Sequence, residues 1–210
     1  QIDIKILKKL RTVLLAKKDC NYVIVCGGGA TSRRYIKAVR EAGYRPTNDD
    51  MDWIGIRSLN LNAELVRMVF GENAFGSVLF SQQQFRGIGR SRIIVVGAEQ
   101  PGSSSDLNAV KWAKYLKSDH VINLTNIDFV YTANPKKFKT AIPLKDLTWK
   151  KYRLIIGERW TPGMDSPFDP VASQLASRLG INVSIINGRK ISEVARALAG
   201  KPFIGTVIHS

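Results

Sequence analysis

Histidine and cysteine are almost missing from this chain, with two of each in 210 residues. Cys20 and Cys26 have no histidine cluster near them, which excludes a disulfide framework and a thiolate–imidazole metal site; both read as reduced packing residues. His120, inside an expected strand, and His209, at the tail, read as structural. No window approaches the roughly 18 uncharged apolar residues of a membrane span, and the first residues carry no apolar signal segment. A soluble, cytoplasmic protein with no membrane partner is therefore expected. Acidic residues are also scarce, 17 against 32 lysines and arginines, for a formal charge of +15. Such a field attracts polyanions, nucleotides or an acidic partner. The basic residues are spread along the chain, and no basic stretch is interleaved with aromatics of the kind that stacks single-stranded bases, so no specific nucleic acid is expected. Neither GxGxxG nor GxxxxGK[ST] occurs, which leaves a Rossmann or P-loop enzyme unsupported.

What is present is alternation. Apolar periodicity predicts helices over residues 3–16, 31–42, 106–116, 169–179 and 191–199, and a further helical pattern through Ile56, Leu59, Leu65, Val66 and Val69. Short β-branched runs predict strands at 22–26, 92–96, 120–124, 182–186 and 205–208. Residues 45–50 read as a polar separator, 75–90 as a hairpin or exposed loop, 125–141 as mostly loop, and 149–156 as ambiguous. The length suits one domain with a substantial core, taken as residues 1–210. The order implies an α/β fold with a mainly parallel sheet between helices.

In such a sheet, ligands sit beyond the C-terminal ends of the strands, and three of those ends carry unusual loops. The first is Gly27, Gly28 and Gly29, followed by Arg33 and Arg34. Bare backbone N–H groups at a helix N-terminus, with nearby guanidinium groups, make an anion site; the alternative is a tight turn that needs positive φ. The second is GAEQPGSSSD, where Pro101 and Gly102 set a turn, Ser103, Ser104 and Ser105 supply hydroxyls, and Asp106 stands at a helix start or serves simply as its cap. The third runs from Asn123 to Lys137 and combines amides, Tyr131, a turn at Asn134 and Pro135, and a lysine pair, the groups that a nucleotide's base and phosphates require.

Taken together these motifs resemble the uridylate (UMP) kinases of the amino acid kinase superfamily, in the form found in archaea and some bacteria. The pattern matches Gly29 and Arg33 after the glycine strand; Asp52, Ile54, Gly55, Ile56, Asn62 and Ala63; Pro101, Gly102, Ser104, Ser105 and Asp106; the block from Thr125 to Lys137; Asp169 and Pro170; and a closing Gly205 and Thr206. The resemblance covers essentially the whole chain. It implies a three-layer α/β/α sandwich and transfer of the γ-phosphoryl group of ATP to UMP, giving UDP for pyrimidine biosynthesis, with magnesium required. Gly28 and Asp52 would face UMP, with Asp52 accepting from the ribose, and Glu99, Gln100, Pro101, Gly102, Ser103, Ser104 and Ser105 would hold its phosphate. Gly29, Arg33, Thr125, Asn126, Tyr131, Asn134 and Lys136 would line the ATP side. Arg33 and Asp106 would be the catalytic pair, Asp106 aligning phosphates and magnesium; no protein side chain is singled out as a metal ligand.

The family also begins with a strand and a Gly-Gly-Ser phosphate loop that have no counterpart in QIDIKIL, and a segment upstream of Gln1 is the expected explanation. Asn134 stands where the family usually has aspartate, and Phe129 where it commonly has glycine. Isopentenyl phosphate kinases use a histidine near the glycine loop, and none stands there. A non-catalytic nucleotide- or anion-binding subunit of the same fold, or another small phosphate or carboxylate kinase, remains the alternative. Family members are typically hexamers built as trimers of dimers; Trp53, Leu59 and Leu65 cannot all face one core, which points to the helix after Asp52 as an interface.

Overall fold

The computed structural model describes residues 2–85, 91–157 and 166–210. Its chain divides into two compact units, Gln1–Ser105 and Asp106–Ser210.

The first unit is built on two parallel strands, β1 (Tyr22–Val25) and β2 (Ile93–Val96), in register from Tyr22 opposite Ile93 to Val25 opposite Val96. All four β2 residues are buried, as a continuous apolar run in a parallel pair requires. Three helices accompany them: α1 (Ile4–Ala16), α2 (Gly29–Glu41) and α3 (Asn48–Phe70). Asp3 caps α1 by accepting from the Ile6 N–H at 3.1 Å. Thr47 and Asp50 form a reciprocal capping box at the start of α3, each accepting from the other's backbone N–H. That box explains why the polar run at 45–50 is not a separator: its second half is the first turn of a 23-residue helix. Ile56, Leu59, Ala63 and Phe70 are the buried apolar residues of α3.

Of the hairpin or exposed loop expected at 75–90, the hairpin does not form among the described residues. Isolated parallel bridges tie Ala74 to Ile93 and Leu79 to Val96, a 3-10 turn covers Gln82–Phe85, and residues 86–90 lie outside the described residues. The helix expected at 31–42 starts at Gly29, whose φ of +57°, an angle glycine adopts without strain, leads the chain into its first turn.

The second unit carries α4 (Ser105–Tyr115), which straddles the boundary, then β3 (His120–Thr125), β4 (Val130–Tyr131), β5 (Pro143–Leu144), β6 (Asp146–Thr148), α5 (Trp149–Ile156), α6 (Pro170–Leu179), β7 (Asn182–Asn187), α7 (Ile191–Leu198) and β8 (Thr206–His209). Its four-stranded sheet has the order β3-β7-β8-β6, with β3 parallel to β7, β6 parallel to β8, and β7 antiparallel to β8. A small antiparallel ribbon pairs β4, within the stretch expected to be mostly loop, with β5 just beyond it. Val130 is buried there, and its N–H donates to the Thr206 hydroxyl at 2.8 Å. The α/β class and the mainly parallel pairing are as the sequence implies.

The ambiguous segment at 149–156 is helical because Thr148 caps it and Trp149 and Tyr152, a turn apart, both enter the core. Trp149, Tyr152 and Phe168 are almost fully buried and lie in one cluster with Val183, Ile185 and Ile208. The Tyr152 hydroxyl donates to the Phe168 carbonyl and accepts from the Phe168 N–H, each at 2.7 Å, while the Trp149 indole N–H donates to the Ile181 carbonyl at 3.1 Å. Tyr152→Phe removes both partners of the Phe168 backbone with almost no change in volume. It should cost about 1–3 kcal/mol of unfolding free energy, read from a urea midpoint, without altering the denaturant slope.

Candidate active site

In the first unit the two strand-end loops meet one helix. The loop after β1 runs through Gly27, Gly28 and Gly29, and the Asn62 side chain on α3 donates to the carbonyls of Gly27 at 2.8 Å and Gly28 at 3.3 Å. A Cβ on Gly28 would stand 2.8 Å from Ser32 Cβ and 3.2 Å from the Gly55 carbonyl oxygen, and Gly29 has φ +57°. The protein's own packing therefore requires two of the three glycines: Gly28 for close approach of α2 to α3, Gly29 for its backbone angle. At Gly27 a Cβ would meet Ser105 Oγ at an ordinary 3.4 Å. Gly28 caps α2 without a side chain, so the first N–H groups of that helix have no side-chain acceptor there. Arg33 and Arg34 are exposed on its first turns.

The loop after β2, residues 97–105, is held by the same helix. Asp52 Oδ2 accepts from the Gly102 N–H at 3.0 Å, at the Pro-Gly turn where Gly102 has φ +82°. Asn60 Oδ1 accepts from the Ala98 N–H at 3.0 Å, and its amide donates to the Ala98 carbonyl at 2.9 Å. Glu99 and Gln100, between those attachments, are exposed. Sequence reasoning singled out Asp52 and the loop, and included Asn62 in the motif, but gave Asn60 no part. A lone asparagine inside a helical pattern carries no local signal, since its partner is 38 residues away.

In the second unit Asp106 lies in the first turn of α4, one residue past the helix start. Instead of capping its own helix, its carboxylate accepts from the Asp169 N–H at 2.9 Å. Asp169 is buried and caps α6 by accepting from the Ala172 N–H at 2.6 Å. The motif contained Asp169 without a role, because Asp before Pro reads simply as a helix start. Asp106 keeps part of its surface open while its carboxyl is withdrawn from water; that burial pushes it up to about 7, with the neighbouring Asp169 charge adding to the rise and the Asp169 N–H opposing it.

The remaining candidates line the end of β3 and the segment beyond it. The Thr125 hydroxyl donates to the Ile127 carbonyl and accepts from the Ile127 N–H, both at 3.2 Å, closing a tight turn that leaves Asn126 exposed. The Tyr131 ring meets Phe129 edge to face at 6.4 Å between centroids. Asn134 Oδ1 accepts from the Lys136 N–H at 2.9 Å, so this asparagine keeps the turn that an aspartate would make, and Lys136 is exposed. Next to this segment, Asp128 pairs with Lys190 at 2.9 Å and accepts from the Asn187 amide at 2.8 Å. Of the two histidines, His120 Nε2 lies 2.9 Å from the buried Ser184 hydroxyl, and His209 pairs with Asp146 at 3.0 Å. Cys20 and Cys26 are free thiols, and burial raises that of Cys26 to about 12. No helix among the described residues is long and apolar enough to cross a membrane.

Asp106 gives the stability of the unliganded protein a definite pH dependence. Below about pH 4 the folded and unfolded chains both hold the proton. Between about 4 and 7 the folded chain keeps a proton that the unfolded chain has released, so stability falls as pH rises, and above 7 the loss is constant. In magnesium-free buffer Asp106→Asn should match the parent at pH 4 and be more stable by 1 kcal/mol or more at pH 8, read by chemical denaturation at both values.

Comparisons with known proteins identify the family. The sequence profile described as "Amino acid kinase family" matches residues 5–187. A uridylate kinase of Hyperthermus butylicus is 32% identical over 187 residues, covering 89% of this chain and 81% of its own length. One from Methanocorpusculum labreanum is 33% identical, covering 88% and 78%. Among solved structures, the uridylate kinase of Archaeoglobus fulgidus superposes with a TM-score of 0.82 at 27% identity, over 98% of this chain and 93% of that one. With a profile match across nearly its whole length and relatives above 30% identity, the chain belongs to the amino acid kinase family, in its uridylate kinase branch.

Proposed function

We propose that this protein is a nucleoside monophosphate kinase that transfers the γ-phosphoryl group of ATP to UMP. The observation that carries the reading is the match to a protein named uridylate kinase over 89% of the chain. A single amino acid kinase domain is the corresponding reading of the chain, supported by one family profile that spans both compact units. Free nucleotides as substrates suit the cytoplasm.

Within the first unit, loop 97–105 takes the acceptor phosphate through backbone N–H groups and the hydroxyls of Ser103, Ser104 and Ser105, with Gly28 close to UMP. Asp52 has a double task, because the carboxylate that anchors Gly102 still has lone pairs for a ribose hydroxyl. The N-terminus of α2, Gly29 and Arg33 form a cationic phosphate contact with the helix dipole and a guanidinium. Within the second unit, Thr125, Asn126, Tyr131, Asn134 and Lys136 present amides, a ring and a cation to the donor nucleotide. Phosphoryl transfer asks little covalent chemistry of a protein, so positioning and electrostatics carry the rate.

Magnesium would neutralise charge between the phosphates when bound. Magnesium bound with nucleotide phosphates can take as few as one carboxylate from the protein. Asp106 is that carboxylate. Near neutral pH it sits at the midpoint of its titration, and cationic charge beside it would favour its ionised form.

Assembly through α3 belongs to the same reading, with a hexamer built from dimers as the end state. Of the three residues expected there, Trp53 is exposed, Leu65 is half-buried and Leu59 is buried in the unit's own core; Leu61 and Met68 are exposed as well, with Arg57 stacked 5.5 Å over the Trp53 ring. Trp53, Leu61 and Met68 recur at helical spacing along one exposed stripe.

A coupled assay with ATP and magnesium should show turnover of UMP above CMP and isopentenyl phosphate; preference for isopentenyl phosphate overturns the reading. Asp106→Asn should lower kcat by 100-fold or more with a small change in UMP binding, and Asp52→Asn should mainly raise the KM for UMP. Equal effects of the two would refute the division of roles. Leu61→Glu with Met68→Glu should reduce the mass seen in light scattering at micromolar concentration, and an unchanged mass would exclude this face of α3 as the contact.

A further inference from the structure

Asn60 is a polar residue of α3 that the functional reading leaves unused, and its geometry is more specific than a core contact demands. Its amide meets both backbone polar groups of Ala98, accepting at 3.0 Å and donating at 2.9 Å, across 38 residues of sequence. The residue before Ala98 is shaped to admit it: a Cβ on Gly97 would stand 2.4 Å from Asn60 Oδ1 and 2.8 Å from the Phe80 ring. Gly97 is itself fixed, being buried with its N–H donating to the Leu79 carbonyl at 2.8 Å. The start of loop 97–105 thus has a single position.

The other attachment is Asp52 on Gly102. Asp52 and Asn60 are eight residues apart on one helix, about 12 Å along its axis. The backbone from Ala98 to Gly102 bends through the Pro101–Gly102 turn, where Gly102 has φ +82°. The short segment that carries Glu99 and Gln100 is thus tied to the same helix at both ends.

We propose that Asn60 is a positioning residue for the acceptor phosphate: by clasping Ala98 it fixes the start of loop 97–105 against α3, so that the loop's N–H groups are arranged for a phosphate before one arrives. This rests on the reading of loop 97–105 as the acceptor-phosphate site. Asn60 touches no reacting atom and acts through Ala98 alone. Losing the clasp gives the loop freedom that must be removed on each binding event, which weakens acceptor binding and leaves the donor side and the chemical step as they were.

The test is steady-state kinetics on the intact protein with Asn60→Ala and Asn60→Asp, varying the acceptor and ATP separately. The second variant is close to isosteric and keeps the acceptor for the Ala98 N–H while losing the donor to its carbonyl, so it serves where the alanine variant fails to fold. Either variant should raise the KM for UMP tenfold or more, with kcat within threefold of the parent and the KM for ATP unchanged. A parent enzyme that prefers another phosphate acceptor overturns the UMP assignment, and the same comparison is then made with that acceptor. A fall in kcat with both KM values unchanged, as a loss of folded protein would give, or equal rises for UMP and ATP, would overturn the positioning role.

Discussion

One helix supplies the polar side chains that the first unit's strand-end loops cannot do without. The loops after β1 and β2 leave the sheet with backbone groups that no strand pairs, and unpaired backbone is costly wherever water is excluded. Asn62 takes the carbonyls of Gly27 and Gly28, Asn60 both polar groups of Ala98, and Asp52 the N–H of Gly102. These three side chains lie on a helix whose apolar face, through Ile56, Leu59 and Ala63, is buried. The core fixes the helix, and the helix fixes the loops. The order matters for function, because a loop held by a rigid element loses less freedom on binding than one that must fold around its ligand.

The same logic explains glycines that a motif search would credit to ligand alone. Gly28 has no room for a side chain because Ser32 and the Gly55 carbonyl stand where one would go, and Gly97 has none because Asn60 and Phe80 do. Each marks a close approach between α3 and a loop. A ligand site built on such approaches inherits its precision from packing, and a substitution at either glycine would disturb the site from within the protein.

The sequence made much of this legible, and the limits were physical. Strands such as the IIVV run of β2 and helices with clean spacing are local facts, read within a residue or two of their ends. Where a tertiary partner decides, local reading fails. Residues 149–156 are helical because Trp149 and Tyr152 fill a distant core, Val130 is paired because Thr206 reaches it from 76 residues away, and Asn60 matters because Ala98 is opposite. The polar run at 45–50 misleads for a different reason: Thr47 and Asp50 are turn-forming residues in isolation, and only their reciprocal bonding makes them the start of a helix. The candidate site was legible as motif, in Asp52, the loop ending in Asp106 and the block from Thr125. The burial of Asp106 and its bond to Asp169 were not, since burial is a property of the fold.

Asp106 also gives the chain's charge a meaning. With 32 basic and 17 acidic residues, most carboxylates stand in a positive field that favours their ionised form. Asp106 departs from this because desolvation acts on the carboxyl at contact range, whereas exposed basic charges act through water and are screened beyond about 8 Å at physiological salt. The two effects therefore operate over different distances on different objects. On the proposed function, the long-range field would gather anionic nucleotides near the protein whatever their identity. The desolvated carboxyl would respond to charge placed directly beside it, and so to a seated ligand rather than to one merely held close. The field, supplied by basic residues spread along the chain, would tolerate replacement of any one of them; the local response belongs to one carboxylate and would not.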